Sequence, residues 1–292
     1  MGSFQNPGVV GPETKRIHRS MKPASIALAL CGLLASAGIS AAAEPQPLKV
    51  MLITGGCCHD YKKQTEILKK GLEERINATV DQIHVDDSST KPKLPIYGNP
   101  DYGAGYDLII HDECAADVKD EATVKGVLKP HVEDGIPAVA LHCAMHSYRV
   151  GDIGKPAKEG SPDALWFEFI GIQSSRHGAQ KPIEISFKNH AVTKGMKDWT
   201  TINEELYNNV KVFKTVEELA EGKQDGEKDA VVAWTNVYGK NKVRVFGTTL
   251  GHNNATVEDA RYLDLVAKGV LWATDKLDSS GKPKAGYGRV KK

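Results

Sequence analysis

Ile136-Pro137-Ala138-Val139-Ala140-Leu141-His142-Cys143-Ala144 is an apolar run that leads into a histidine between small residues. Residues 136–142 have the length and content of a buried β-strand. A strand that enters a turn with small residues on both sides of its tip resembles the nucleophile elbow, which exposes one side chain above a sheet. The exposed position here is His142, not Cys143. The stretch predicts a strand of an α/β sheet whose carboxyl end presents an imidazole.

Three other apolar, strand-like runs also lead to a histidine. They are residues 50–54, 107–110 and 243–250, which lead to His59, His111 and His252. In an open α/β sheet, ligands bind in the crevice beyond the carboxyl ends of the parallel strands. If the four runs are parallel neighbours, residues far apart in sequence converge there. We therefore predict one pocket lined by imidazoles.

Helical patterns and loops separate these runs. Residues 64–77 have one apolar helical face, 79–85 form a strand candidate, and the Pro- and Gly-containing segment 86–106 is predicted to be a loop. Asp117 is a candidate cap for the next helix, and Thr256 for the last one. Residues 230–235 and 242–248 predict a β-hairpin. The pattern favours a mostly parallel sheet flanked by helices, with an added hairpin.

Composition excludes some functions, and the N-terminus predicts export. The 292 residues carry a formal net charge of +1, so no basic surface for nucleic acid is indicated. Residues 1–43 are predicted to be an upstream extension and a signal peptide, with an apolar stretch at 26–34 that is too short for a stable membrane span and a small-residue site ending at Ala43. The predicted product is periplasmic or secreted. It comprises a domain over residues 44–276 and a basic, flexible tail over 277–292.

Four cysteines lie beside the predicted strand ends. They are Cys57, Cys58, Cys114 and Cys143. Three interpretations stay open: packing as small apolar side chains, a disulfide between neighbouring strand ends, and metal ligation together with histidine. The segment Gly55-Gly56-Cys57-Cys58-His59 also has two interpretations, because Gly56 would allow either close backbone approach to a ligand or simply a tight turn.

The elbow resembles that of class I glutamine amidotransferases, with one decisive difference. Their pattern Gly-x-Cys-x-Gly has cysteine at its centre, where this chain has His142. Their late His-Pro-Glu corresponds to His252-Asn253-Asn254, which lacks both the proline and the glutamate. We therefore expect the scaffold without glutaminase activity. A residual amidotransferase that uses Cys143 is a third and weaker interpretation.

An ordered series of short motifs resembles the ThuA-like (trehalose utilisation) family over about residues 50–273. The motifs are Leu141-His142-Cys143-Ala144, Asn189-His190-Ala191-Val192-Thr193-Lys194-Gly195-Met196, Glu204-Glu205-Leu206-Tyr207, Val232-Ala233-Trp234-Thr235, Arg244-Val245-Phe246, Leu250-Gly251-His252 and Gly269-Val270-Leu271-Trp272-Ala273. The chain departs from the family pattern at Cys143, where serine or threonine is usual, and after His190, where His-Pro-Ala is usual. The resemblance implies a class I glutamine amidotransferase-like, flavodoxin-like three-layer α/β fold. It also implies a link to trehalose or oxidised (3-keto) sugars.

Two functions follow as expectations. The first is an exported enzyme of hydrolase, lyase or isomerase type that acts on a sugar or a modified glycoside. His142, His252 and Glu205 are its predicted catalytic residues, and Gly56, His59, His111, His177 and Tyr207 are predicted to bind substrate. His142 and His252 are also predicted ligands of a divalent metal such as zinc. The alternative is a non-catalytic carbohydrate-binding or interaction domain on the same fold.

Overall fold

The computed structural model describes residues 1–3, 8, 11–13 and 45–289. The chain separates into two compact units, Met1–Ala43 and Glu44–Lys292. The predicted signal peptide lies outside the described residues, as do residues 290–292. The fold that follows is that of the second unit alone.

Eleven strands and five α-helices occur among the described residues. The strands are β1 (Leu48–Gly56), β2 (Ala78–Val85), β3 (Leu108–Cys114), β4 (Ala138–Leu141), β5 (Ile172–Gln173), β6 (Lys181–Phe187), β7 (Trp199–Glu204), β8 (Lys211–Val212), β9 (Val216–Lys223), β10 (Ala230–Tyr238) and β11 (Val243–Thr248). The helices are α1 (Tyr61–Glu73), α2 (Glu121–Val132), α3 (Leu165–Ile170), α4 (Asn254–Glu258) and α5 (Ala260–Ala273).

The main sheet has nine strands in the order β2-β1-β3-β4-β11-β10-β9-β6-β7. Its first five strands are parallel, and their order is the flavodoxin-like one. The remaining strands are antiparallel, beginning with the predicted hairpin of β10 and β11. The predicted α/β fold with helices around a parallel sheet is confirmed. The antiparallel part is larger than one hairpin, because β6, β7 and β9 extend it.

Alternating side chains of the parallel strands bury both faces of the sheet. On β1, Val50 and Leu52 belong to the core that also contains the apolar faces of α1 and α5. Met51 and Ile53 point the other way, into a cluster with Tyr102. Helices α2 and α3 cover the neighbouring part of that second face. Because β1, β4 and β11 are almost entirely buried, their sequences are continuous apolar runs without polar alternation, and it is these runs that predict them.

Two helix starts differ from the sequence prediction. Helix α2 begins at Glu121 with Asp120, not Asp117, as its cap: the Asp120 carboxylate accepts a hydrogen bond from the backbone N–H of Thr123. The last helix is divided at Asp259, which ends α4 and caps α5 by accepting from the N–H of Arg261. In both cases the cap is an aspartate closer to the helix, which satisfies a free N–H at its first turn.

Residues 277–289 pack against the domain, which differs from the predicted flexible tail. Leu277 is buried, and Tyr287 packs on the main core. Gly288 forms a β-bridge with Ile76, and the backbone N–H of Asn77 donates to the carbonyl of Tyr287. The charge and glycine content of this segment predict a flexible tail. The two apolar side chains and the backbone pairing instead hold it against the domain.

Among the described residues, none of the helices combines the length and the apolar character needed to cross a lipid bilayer.

Candidate functional site

The site lies at the carboxyl ends of β1, β4 and β11. His142 immediately follows β4, and its φ of +37° places it in the left-handed region. This is the strained turn that the small neighbours of His142 predicted. His59 lies in the turn between β1 and α1, and His252 follows β11. Because β1, β3, β4 and β11 are adjacent and parallel, these turns meet at one edge of the sheet.

Three imidazoles meet with their nitrogen atoms facing one another. His59 Nε2 lies 2.9 Å from His142 Nε2 and 3.0 Å from His252 Nδ1. The other nitrogen of His142, Nδ1, is 2.6 Å from the carbonyl oxygen of Thr249. A carbonyl only accepts hydrogen bonds, so Nδ1 of His142 donates to Thr249 and Nε2 is the nitrogen that faces the cluster.

Glu205 completes this group from the loop that follows β7. Its carboxylate oxygens lie 3.3 Å from His252 Nδ1 and 3.6 Å from His142 Nε2. One ligand atom from each of His59, His142, His252 and Glu205 can be chosen so that all lie within 4.8 Å of one another. We call these four residues the His3Glu cluster. The structure brings the predicted site residues His142 and His252 together, with 5.6 Å between their ring centroids.

The cluster strongly perturbs its own protonation. Burial, reinforced by the neighbouring His142 and His252, lowers the pKa of His59 to about 2. Burial alone would raise the pKa of Glu205, but hydrogen bonds with His142 and His252 outweigh it and hold that pKa well below its usual range. The hydrogen bond with Glu205 in turn raises the pKa of His252. The result is an ionised carboxylate, a neutral His59 and a His252 that retains a proton more readily than usual.

A second carboxylate holds the His252 loop in place. Glu204 is fully buried, and its oxygens accept hydrogen bonds from the backbone N–H groups of Gly251, His252 and Asn253 at 3.0–3.3 Å. Glu204 and Glu205 are consecutive but have different tasks: the first orients the backbone that carries His252, and the second contacts its ring.

A cavity of about 380 Å³ adjoins the cluster. One wall is a stack of rings, in which His146 lies over Tyr207 at 4.1 Å between centroids and His177 lies 5.5 Å from Tyr207. The hydroxyl of Tyr207 is 3.4 Å from His142 Nε2, and His177 Nε2 is 3.7 Å from Glu205. The predicted site residues Tyr207 and His177 therefore line the same cavity as His59 and Glu205.

A family model described as ThuA, trehalose utilisation, matches residues 49–273. The chain belongs to the ThuA family. The structure is similar to a ThuA-like protein from Parabacteroides merdae, with 19% identity, a TM-score of 0.58, and coverage of 84% of this chain and 98% of the other.

Two weaker structural likenesses accompany the ThuA match. One is to a β-galactosidase from Bacillus circulans sp. alkalophilus (15% identity, 82% of this chain, 32% of that one, TM-score 0.45). The other is to a glutamine amidotransferase from Thermotoga maritima (11% identity, 80% and 98%, TM-score 0.39). No curated protein matched the chain in sequence. Neither weaker likeness bears on activity.

His111 of this ThuA chain does not reach the cluster, so its predicted place in the pocket is wrong. It lies inside β3 rather than at its end, and it is fully buried. Its ring contacts Glu113 at 2.9 Å and His131 at 3.1 Å. Strand β3 continues through Asp112 and Glu113, whose charges made the strand seem to end earlier.

Gly56 is also not a contact of the cavity. It is the last residue of β1, with a φ of +99°, and a Cβ there would come within 2.2 Å of the carbonyl oxygen of Cys114. The glycine is therefore required for the close approach of β1 to β3. Of the two sequence interpretations, the structure supports the tight-turn one.

The cysteines of the ThuA chain surround the same cavity. Cys57 and Cys58 form a disulfide between consecutive residues, not between neighbouring strand ends as one interpretation had it. Cys114 and Cys143 are free thiols and are buried. All four line the cavity beside the His3Glu cluster.

Sequence reasoning missed two residues of the site, Glu204 and His146. Glu204 stands beside a predicted residue, and only the long-range contact with the 251–253 backbone separates its task from that of Glu205. His146 lies four residues after His142, at the other end of the short 3₁₀ helix His142–His146, and stacks on Tyr207, whose hydroxyl contacts His142. A histidine four residues after the elbow was the available signal.

Proposed function

We propose that this ThuA family chain acts on a sugar or a modified, 3-keto glycoside at the His3Glu cluster, which holds a divalent metal such as zinc. The observation that carries the proposal is the convergence of three imidazole nitrogens and a carboxylate within 4.8 Å beside a cavity. The family description, trehalose utilisation, supports a sugar as the substrate.

The donor set fits a metal ion on chemical grounds. Neutral imidazole and carboxylate are among the ligands that zinc prefers. His59 Nε2 lies within 3.0 Å of two other ring nitrogens, and one N–H can point directly at only one of them. In neutral rings at least one of the two contacts therefore lacks a well-aligned hydrogen bond, and its electron-rich nitrogens repel each other. A cation among them would remove that repulsion. The hydrogen bond from His142 Nδ1 to Thr249 is the outer contact that fixes the tautomer of a metal-binding histidine.

The metal and the side chains around it would have different roles in the reaction. The metal, when bound, would polarise a sugar carbonyl or hydroxyl. The flat rings of Tyr207 and His146 offer a surface for a sugar ring, which commonly packs against aromatic faces. With His59, His142, His252 and Glu205 engaged as ligands, His177 remains to transfer a proton. It is 41% exposed and directly faces Glu205.

Metal content tests the cluster directly. The purified chain is stripped with chelator, loaded with zinc or manganese, desalted and analysed for metal. We expect about one ion per chain in the wild type and its loss in His142→Ala, because the cluster loses a central donor. His190→Asn is the matched control, since His190 lies near Trp272 outside the cluster and Asn can still accept from the N–H of Val192. A wild type that retains no ion would overturn the metal proposal.

Turnover tests the sugar. Oxidised and unoxidised disaccharides are offered to the metal-loaded wild type and to His142→Ala, with product and binding measured separately. Turnover in the wild type that is lost in His142→Ala supports the enzyme. Binding without turnover of any of the sugars would favour the carbohydrate-binding alternative, and neither binding nor turnover would contradict both.

We also propose that the chain is exported, on the strength of its N-terminal sequence. N-terminal sequencing of the protein recovered outside the cytoplasm would begin at Glu44 if cleavage follows Ala43. Recovery of an uncleaved chain in the cytoplasm would contradict this.

A further inference from the structure

The four cysteines that line the cavity are in sulfur-to-sulfur contact. The Cys57–Cys58 disulfide lies beside β3, and Cys57 Sγ is 3.5 Å from Cys114 Sγ. Cys114 in turn shares a hydrogen bond with the thiol of Cys143. A disulfide, an adjacent free thiol and a thiol that supports it are the components of a thiol–disulfide exchange site.

These cysteines differ in how far their side chains are exposed to solvent. Cys114 and Cys143 are only 3% and 5% exposed, so neither offers its thiol to solvent. Cys58 is exposed and lines both the cavity and a second cleft that also contains His252 and Asn253. Its φ of +83° is a conformation that a residue with a side chain rarely adopts. Release of Cys58 from the disulfide would relax this turn and place a thiol at the surface.

We propose that Cys114 exchanges with the Cys57–Cys58 disulfide and so delivers a reactive thiol on Cys58 at the mouth of the cavity. The Cys114 thiolate attacks Cys57 Sγ, a Cys57–Cys114 bond forms, and the Cys57–Cys58 bond breaks. Cys58 leaves as a thiolate and takes up the proton that Cys114 gave up. One disulfide and two thiols are present before and after, so the step needs no external oxidant or reductant.

The surroundings of Cys114 favour its role as the attacking group. The hydrogen bond with Cys143 lowers the pKa of the Cys114 thiol, and the positive charge of Arg149 acts in the same direction. A lower thiol pKa increases the thiolate fraction, which is the nucleophilic form. Neither a metal nor a sugar takes part in the exchange step.

Trapping the released thiol tests the exchange. The full chain carries Cys31→Ser in every sample, so that the cysteine outside the described residues contributes nothing. It is incubated with N-ethylmaleimide in buffer without thiols, and then mapped by mass spectrometry of non-reduced peptides. We expect Cys58 to be labelled over time, with a Cys57–Cys114 cross-link in the same molecules. Cys114→Ser should lose both, and Cys143→Ser, whose hydroxyl can still donate to Cys114, should keep both.

Each outcome decides the proposal. Labelling of Cys58 at the same rate in Cys114→Ser, or Cys58 that stays unlabelled in the wild type while buried Cys114 or Cys143 reacts, would overturn it. Cys114→Ala is the second variant, because it avoids a buried hydroxyl and its folding can be checked by thermal unfolding. If neither Cys114 variant folds, the cross-linked peptide in the wild type alone decides by its presence or absence.

Discussion

At the scale of single residues, the two consecutive glutamates have different roles: Glu204 holds a loop in place, and Glu205 contacts the imidazoles of the cluster. Glu204 accepts three backbone hydrogen bonds from residues 251–253, whereas Glu205 contacts the imidazoles of His142 and His252. In Glu204→Gln one carboxylate oxygen is replaced by an amide N–H₂ group, which cannot accept hydrogen bonds from the backbone N–H groups of residues 251–253. We therefore expect the free energy of unfolding to fall by about 1–3 kcal/mol. We also expect a 10–100-fold weaker metal affinity, as for other outer contacts of metal ligands.

Glu205→Gln is the matched comparison for this prediction. It removes a candidate ligand but leaves the three backbone hydrogen bonds of Glu204 intact, so metal affinity should fall while unfolding in urea stays closer to that of the wild type. Urea unfolding and a zinc titration measure the two effects. Equal stability of Glu204→Gln and the wild type would show that the 251–253 loop does not depend on Glu204.

At the scale of elements, the junction of β1 and β3 depends on one glycine. A Cβ at Gly56 would come within 2.2 Å of the backbone oxygen of Cys114. A backbone atom held in a strand cannot move aside as the end of a flexible side chain can. Gly105, with a φ of +83°, has open space around the same position and is the matched control. We expect Gly105→Ala to cost about 1–2 kcal/mol for its backbone conformation. Gly56→Ala should cost a further ~1–3 kcal/mol for steric overlap.

Thermal and urea unfolding of the two alanine variants measure this difference. Because the overlap is with Cys114, Gly56→Ala should also separate Cys57 from Cys114 and reduce the cross-link between them. Equal stabilities of the two variants would contradict the close approach of the strands.

The elements also show what the sequence could predict. Strands β1, β4 and β11 are apolar runs that end near a turn, so their positions and the meeting of His59, His142 and His252 follow from the parallel sheet. Strand β3 extends to Cys114, beyond the predicted run 107–110, because it contains the buried carboxyl residues Asp112 and Glu113. Glu113 is buried against Tyr97 and Tyr148, whose contacts arise only in the folded chain. No local pattern contains that information.

At the scale of the whole molecule, the limits of sequence reasoning lie in long-range polar contacts. The fold class followed from the apolar runs and the motif series, and the family match agrees with it. The stacking of His146 on Tyr207, the support of His252 by Glu204 and the contact of Cys57 with Cys114 each join residues roughly 50 to 60 positions apart in sequence. Such contacts depend on side-chain geometry after the sheet has assembled.

Buried ionisable groups make the stability of the whole molecule depend on pH. Burial lowers the pKa of His131 and of His146 to about 3, and that of His59 to about 2. In the unfolded chain these imidazoles become protonated below about pH 6.5, whereas the folded chain keeps them neutral. Asp112 acts in the opposite sense, because burial raises its pKa, so it stays protonated when folded and ionises on unfolding.

Between about pH 6 and 5 unfolding therefore takes up three protons at histidines and releases one at Asp112, a net uptake of two. Each proton changes the free energy of unfolding by about 1.4 kcal/mol per pH unit, so stability should fall by up to about 3 kcal/mol per unit on acidification. Urea unfolding measures the slope, with chelator present so that metal binding does not add a pH dependence of its own. His131→Gln should reduce it by about 1.4 kcal/mol per unit. A slope that the substitution leaves unchanged would mean that His131 is protonated equally in both states, contrary to its burial against His111.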